Sequence, residues 1–208
     1  MNYEIHRAFP TAIGIAKLDQ EFCEPLKPLK GIGQYEDLNE QKDYFNILDR
    51  LPDLKKKFIK LFTDYINSSI LNTPNQEYTI TSSWITENNT GRAMTRHNHF
   101  NSYYSSVFYF DKVLKEHPPL SFERPEIARG FWVPPIYKSE NESFGFVSNA
   151  LSFRIEEGLI YFFPSHIYHS HEAFEPTEVP RKSLACNYIP INKFGRDDST
   201  LDTRRIHG

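Results

Sequence analysis

Cysteine is scarce in this chain. Its 208 residues hold two, Cys23 and Cys186, too few and too far apart for a disulfide framework, and thiols used so sparingly suit a reducing compartment. Cys186 lies within an apolar run and reads as a buried thiol. A basic excess is also absent: 24 Lys and Arg face 27 Asp and Glu, for a formal net charge of -3 and a pI near 6.2. That balance does not neutralise a phosphate backbone, so nucleic acid is not favoured as a partner. No apolar run approaches the ~20 residues needed to span a bilayer. The opening MNYEIHRAF lacks the basic-then-apolar layout of a signal peptide. The expectation is a cytoplasmic protein without a membrane segment. No internal repeat or low-complexity tract breaks the chain.

Aromatic residues are plentiful. Phe (17) and Tyr (12) dominate an aromatic fraction of 15%, and both favour the pleated, half-buried surface of a strand. The 14 Pro argue against a mostly helical protein, since each one in a helix interior removes a donor and clashes with the preceding turn. A domain of this size buries roughly 70% of the surface its unfolded chain exposes, enough for a core that needs no covalent staples.

The pattern changes along the chain. Residues 3–17 carry short apolar stretches broken by Pro10, consistent with one or two early strands. Residues 23–43 hold Pro25, Pro28, Gly31 and Gly33 and read as a loop-rich connection. One helix stands out: Leu51, Leu54, Phe58, Leu61, Phe62, Tyr65, Ile66 and Ile70 recur at three- and four-residue spacing. Lys55, Lys56, Lys57, Lys60 and Asp64 fall mostly on the other side, and Pro52 is tolerated in a first turn. Short strand candidates follow at 78–87, 103–110, 151–155, 158–163 and 183–189, with Asn88, Asn89 and Gly91 as a turn. One helical layer followed by many short strands predicts a sandwich or barrel with helices on one side. The expected organisation is one domain over residues 1–192 and a polar tail over 193–208, read as a surface extension or disordered.

Of eight histidines, five fall in two short clusters. The first is His97-Asn98-His99, between two strand candidates. On extended chain, residues i and i+2 project to one face, which sets His97 and His99 roughly 6–7 Å apart at their backbones. Two such imidazoles can converge on one metal ion. The second cluster is His166, His169 and His171, after the apolar run Leu159-Ile160-Tyr161-Phe162-Phe163-Pro164-Ser165. His169 and His171 share a face if extended, and His166 falls on a turn. Spacing alone leaves a divalent metal site and ordinary loop histidines equally open.

Order and context add a resemblance. His-x-His, then a strand, then Gly-x-hydrophobic-x-Phe-Phe-Pro-Ser-x-x-x-His, then Arg-x-Ser on a further strand, resembles the Fe(II)/2-oxoglutarate-dependent oxygenases. The likeness is to the prolyl-hydroxylase-like, uncharacterised branch found in marine bacteria and phages. It covers roughly residues 78–191, and Phe9-Pro10-Thr11 near the start is also similar. The resemblance implies a double-stranded β-helix, the cupin-like jelly roll, mainly β with a helical buttress. It implies Fe(II) as metal and 2-oxoglutarate as co-substrate, in a dioxygenase that hydroxylates a small-molecule or peptide substrate and releases succinate and CO2. Within it His97 matches the first metal ligand and His169 the distal one, while His99 occupies the position usually held by Asp or Glu. Arg181, twelve positions after His169, matches the basic residue that pairs with the far carboxylate of 2-oxoglutarate. Ser183 completes Arg-x-Ser, and Tyr109 resembles a tyrosine that helps hold the same carboxylate.

Physical chemistry is compatible with those roles. A guanidinium takes a carboxylate bidentately and a hydroxyl adds a further bond. The alternation of Arg181, Ser183, Ala185 and Asn187 with Lys182, Leu184, Cys186 and Tyr188 does not settle which face points inward. Asp111 and Glu172 are acids that could stand in for the missing carboxylate, but only His99 has the right spacing from His97. His171 is the weaker competitor to His169, and the Phe-Pro-Ser-x-x-x-His register of the resemblance selects His169. Trp84, Tyr103, Tyr104, Phe108, Trp132 and Tyr161 are candidate pocket walls, each also suited to ordinary core. Two other functions fit the same residues: a three-histidine metal dioxygenase independent of 2-oxoglutarate, and a non-catalytic metal-binding jelly-roll module. Only the first reading needs Arg181 and Ser183.

Overall fold

A computed structural model describes residues 11–32, 45–69, 76–123, 150–195 and 198–205. Trp132, Phe9 and Pro10 lie outside these residues. The major helix forms where the apolar spacing predicts it. Helix α2 (Pro52–Ser69) follows a four-residue helix α1 (Gln20–Cys23) and a 3-10 turn at Ile47–Arg50. Pro52 is its first residue, where the missing N–H is no loss, and Asp53 lies in the first turn, where negative charge suits the helix dipole. Leu54, Phe58, Phe62 and Ile66, each four residues on from the last, are all buried.

That stripe packs on a five-stranded antiparallel sheet with the order β1-β7-β4-β9-β2. Its strands are β1 (Gly14–Lys17), β7 (Leu159–Pro164), β4 (Tyr104–Phe108), β9 (Arg181–Ile191) and β2 (Glu77–Asn88). The Phe62 ring stacks on Tyr188 at 4.2 Å and meets Tyr78 edge-on at 5.0 Å. Tyr65 stacks on Phe162 at 5.1 Å, and Phe58 lies edge-on to Phe108 at 5.5 Å.

A second antiparallel sheet has the order β3-β8-β5-β6, from β3 (Met94–His97), β8 (Tyr168–His171), β5 (Leu120–Glu123) and β6 (Ala150–Phe153). A second apolar cluster, Val107, Tyr109, Leu120, Phe122, Ile155, Tyr161, Phe163 and Ile167, joins the two sheets. The architecture is mainly β, a jelly roll with a helical buttress on one face.

The central strands are therefore buried on both faces, and period-2 geometry sorts their residues. Ile160, Phe162, Phe108, Leu184, Cys186 and Tyr188 join the helix-side core, while Tyr161, Phe163 and Val107 join the inter-sheet core. Leu184, Cys186 and Tyr188 thus face the helix, which settles the alternation on β9: Arg181, Ser183 and Asn187 face the space between the sheets. Two pocket-wall candidates are corrected by the same rule. Phe108 belongs to the helix-side core and Tyr104 packs against it, because each sits on the α2 face of β4. Tyr103 is 58% exposed.

One irregularity in the small sheet bears on function. Met94 pairs with His171 and His97 pairs with His169, so β3 uses three steps where β8 uses two. The extra residue is a β-bulge, and it brings His97 opposite His169. The turn between β2 and β3 depends on Gly91 (φ 74°), whose carbonyl accepts from the Phe174 amide at 2.8 Å. A Cβ there would lie 1.9 Å from the Phe174 carbonyl oxygen. After β9 a short hairpin forms from β10 (Lys193–Phe194) and β11 (Leu201–Asp202), with Phe194 edge-on to Tyr103 at 5.9 Å. Among the described residues no helix is long and apolar enough to cross a membrane.

Phe62 contacts four aromatic rings besides the helix itself. Phe62→Ala is expected to cost about 3–5 kcal/mol of stability, the range for emptying a packed aromatic site. Urea denaturation measures it, and a midpoint equal to that of the unaltered chain would contradict this account of the core.

Candidate metal centre

His97 ends β3, His99 lies two residues on in the following loop, and His169 lies in β8. The structure brings the three together: one ligand atom from each lies within 4.8 Å of the others. Ring centroids are 4.3 Å apart for His97 and His169, 5.3 Å for His97 and His99, and 5.1 Å for His99 and His169. The loop holding His99 is tied down by the Phe-Pro-Ser segment. The His99 amide donates to the Ser165 carbonyl at 2.9 Å, and the Ser165 amide donates to the Tyr103 carbonyl at 3.0 Å. Ser165 thus fixes both ends of the loop that carries the second histidine.

Each imidazole uses the same nitrogen to bond the protein. His97 Nδ1 meets the Thr95 carbonyl at 2.8 Å, His169 Nδ1 the Ile167 carbonyl at 3.2 Å, and His99 Nδ1 the Asn187 Oδ1 at 2.7 Å. A carbonyl oxygen can only accept, so each Nδ1 carries the proton and each Nε2 is left with a bare lone pair. This is the arrangement that orients a metal-binding imidazole. Burial pushes the His169 pKa down to about 3, reinforced by the repulsion a second proton would meet beside His97 and His99. Burial also lowers that of His99, against the raising effect of its bond to Asn187. Both stay neutral, the state in which imidazole binds a metal.

The competitors fall elsewhere. His171 is buried, but it is not part of the cluster, and its Nδ1 bonds the Glu172 carbonyl at 2.9 Å. Burial lowers its pKa to about 4, with the charge of Arg181 as the next cause. His166 is exposed on a turn. Asp111 lies 3.7 Å from Lys182, and neither it nor Glu172 joins the histidines.

Arg181 opens β9 and is 4% exposed. Its Nη2 donates to the Tyr109 hydroxyl at 2.7 Å, and its guanidinium lies 5.0 Å from the Tyr109 ring centre. Its Nε has no hydrogen-bond partner, and no carboxylate among the described residues pairs with it. Burial holds the Tyr109 phenol above its usual pKa despite Arg181 beside it, so its O–H proton stays in place. Ser183 is also buried, with Oγ 2.8 Å from Thr86 Oγ1 across the β2–β9 ladder. Of the pocket-wall candidates, Trp84 lies beside the site, 5.5 Å from the His99 ring, and Tyr161 lies edge-on to Tyr109 at 6.2 Å.

Sequence reading missed the polar group beneath His99. Asn187 Oδ1 also accepts from Ser105 Oγ at 2.8 Å, Asn187 Nδ2 donates to Ser82 Oγ at 3.0 Å, and Ser105 meets Ser165 at 2.8 Å. A signal existed: Asn187 interrupts the apolar run around Cys186, and Ser105-Ser106 interrupts the strand before Phe108.

The family described as "Putative 2OG-Fe(II) oxygenase" matches residues 82–187, a stretch that contains His97, His99, Tyr109, His169, Arg181 and Ser183. Among solved structures, EctD from S. alaskensis in its apoform is similar at a TM-score of 0.57 and 11% identity. That match covers 86% of this chain and 72% of EctD. HygX from Streptomyces hygroscopicus, with nickel and 2-oxoglutarate bound, is similar at a TM-score of 0.53 and 11% identity, over 86% of this chain and 82% of HygX. An oxidoreductase of the 2OG-Fe(II) oxygenase family from Burkholderia pseudomallei matches at a TM-score of 0.45 and 14% identity. The match covers 68% of this chain and spans 55% of that protein. At these identities the likeness to EctD and HygX is one of fold. No curated protein matches the chain in sequence.

Two buried neutral histidines make stability depend on pH. Unfolded, His169 and His171 take up protons near the ordinary value of 6.5; folded, they do so only near about 3 and about 4. As pH falls through 6.5 the unfolded chain gains protons that the folded chain does not. The metal-free protein is therefore expected to lose stability, on the order of 2 kcal/mol or more from pH 7 to pH 5. Urea denaturation of chelator-treated protein at the two pH values checks this, and equal stabilities would contradict the buried, neutral state of both rings.

Proposed function

Because the chain belongs to the 2OG-Fe(II) oxygenase family, we propose that it is an Fe(II)- and 2-oxoglutarate-dependent dioxygenase hydroxylating a small-molecule or peptide substrate. The observation that carries this reading is Arg181. A guanidinium at 4% exposure with an orphaned Nε and no carboxylate partner among the described residues is a costly arrangement, several kcal/mol for an uncompensated buried ion. A carboxylate ligand offsets that cost. Three imidazoles bring ligand atoms within 4.8 Å of one another, with their Nδ1 atoms already bonded to protein oxygens. A divalent cation and a dicarboxylate keto acid suit these two features.

In this reading His97, His99 and His169 hold the iron, and Arg181 binds the far carboxylate of 2-oxoglutarate. Tyr109 keeps its proton and donates its O–H to the same carboxylate or to its surroundings while accepting from Arg181. Ser183, held by Thr86, faces the same space. Bound iron and co-substrate would supply the oxidation: 2-oxoglutarate would lose CO2 and take one oxygen atom of O2 to give succinate, and the other oxygen atom would enter a C–H bond of the substrate. The chain's part is to position these groups and exclude water around them. The apolar walls of Tyr109, Tyr161, Phe163 and Phe122 lower the local dielectric and strengthen the carboxylate–guanidinium pairing.

Anaerobic titration of the iron-loaded protein with 2-oxoglutarate is expected to produce a weak visible charge-transfer band. Aerobic incubation is expected to release succinate, measured by NMR. Arg181→Met should weaken 2-oxoglutarate binding by about 30-fold or more, corresponding to loss of a charged hydrogen-bond partner. Absence of the band in folded, iron-loaded protein would sink the proposal. His99 in a position usually held by a carboxylate favours one second reading, a three-histidine dioxygenase that needs no 2-oxoglutarate. Turnover indifferent to both 2-oxoglutarate and Arg181→Met would establish that reading instead.

A further inference from the structure

The histidine cluster differs in charge from a donor set that includes a carboxylate. All three donors are imidazoles rather than carboxylates, and the groups that hold them carry no formal charge. The Nδ1 partners are two backbone carbonyls, from Thr95 and Ile167, and the Asn187 amide with Ser105 Oγ 3.0 Å from His99. The hydrogen-bond network assigns the Asn187 orientation: Oδ1 accepts from His99 and Ser105, and Nδ2 donates to Ser82. Asn187, Ser105 and Ser165 are all buried, so water does not replace these partners. Asp111 faces Lys182, and Glu123 bonds Arg96 at 2.7 Å. Among the described residues the group of potential metal ligands that forms here contains no carboxylate.

We propose that this is a charge-neutral, all-nitrogen cation site that selects borderline ions such as Fe(II), Co(II) and Zn(II) against the hard ions Mn(II) and Mg(II). His99 sets the selectivity as a ligand, and Asn187 is the positioning residue that presents it. The inference rests on the reading that the three histidines hold a metal. Hard cations depend on anionic and carbonyl oxygen donors, while imidazole suits iron, cobalt, nickel and zinc. Almost any site binds Mn(II) more weakly than Co(II) or Zn(II). The content of the proposal is therefore that the gap is widened by His99 and narrows when a carboxylate replaces it. Asn187 acts one bond further out. Its neutral oxygen orients the imidazole without the added basicity that a carboxylate partner would give.

The test uses the full chain, stripped with a chelator, with no co-substrate and no turnover. Mn(II) binding is read from the EPR signal of the free ion, and Co(II) binding from its visible absorption. The expected result is a ratio of Mn(II) to Co(II) dissociation constants that falls about tenfold or more in His99→Asp. Circular dichroism and a melting curve establish that the variant is folded. Asn187→Asp, nearly isosteric, keeps three nitrogen donors and adds charge behind one of them. It is expected to tighten Co(II) binding about tenfold while leaving the ratio as in the unaltered chain. A ratio unmoved by His99→Asp overturns the proposal and leaves the metal site standing. If that variant does not fold, the same ratio is read in His99→Glu, where an unmoved ratio overturns the proposal in the same way, and Co(II) affinity unchanged in Asn187→Asp overturns the part given to Asn187. Failure of every cation to bind the unaltered chain removes the metal site itself, and the proposal with it.

Discussion

The two-sided burial of the central sheet is the constraint on which the rest depends. A sheet in a small domain can leave one face to water, but here α2 covers that face with Phe58, Phe62 and Ile66. The helix side then supplies aromatic packing enough that the opposite face is free to carry polar groups. β9 shows the division residue by residue. Leu184, Cys186 and Tyr188 belong to the helix core, while Ser183 and Asn187, alternating with them, lie on the other face, where Asn187 bonds His99. A one-residue slip of β9 would exchange the two sets, placing Asn187 against Phe62 and Tyr188 in the site. Its eleven-residue pairing with β2, interrupted only near Ile80 and Ser82, opposes such a slip.

On that polar face, burial acts in opposite senses on the histidines and the arginine. Desolvation penalises charge, so His99 and His169 are held neutral and their Nε2 lone pairs stay available. Arginine cannot lose its proton at any ordinary pH, so the same environment leaves Arg181 charged and short of partners. Tyr109 satisfies one of its donors and, being protonated, does not neutralise it. The interior therefore holds neutral nitrogen donors in one place and an uncompensated cation in another. The first feature suits a metal ion and the second an anion.

Much of the architecture was legible in the sequence, for identifiable reasons. The helix followed from apolar spacing because only one of its faces is buried. The strands of the five-stranded sheet were recognisable by composition, but their orientation was not. With both faces of β9 buried, alternation between Leu184 and Ser183 carries no label for inside and outside. The short strands β3, β5 and β8 gave weak signals, since four residues barely establish a period. His97, His99 and His169 could be listed as candidates from spacing, but spacing could not choose between His169 and His171. Both face the interior. The choice depends on the bulge in β3, which sets His97 opposite His169 and leaves Met94 opposite His171. No local feature of Met94-Thr95-Arg96-His97 announces that extra residue.

The bulge also explains how the second ligand can come from a loop. Once His97 is displaced to the end of β3, the chain leaves the small sheet at Asn98 and His99 has no strand partner there. Its backbone is instead captured by Ser165 at the end of β7, and its ring by Asn187 on β9. The first and third histidines thus belong to the small sheet, while the second is held by the large one. Opening the two sheets would separate His99 from His97 and His169, so a metal bound by all three would bridge them. Binding energy at the site then counts directly as stability of the closed jelly roll. The same holds for Arg181 on β9, whose ligand would lie between the sheets. In this arrangement the ligands bound at the site would be part of what keeps its two halves together.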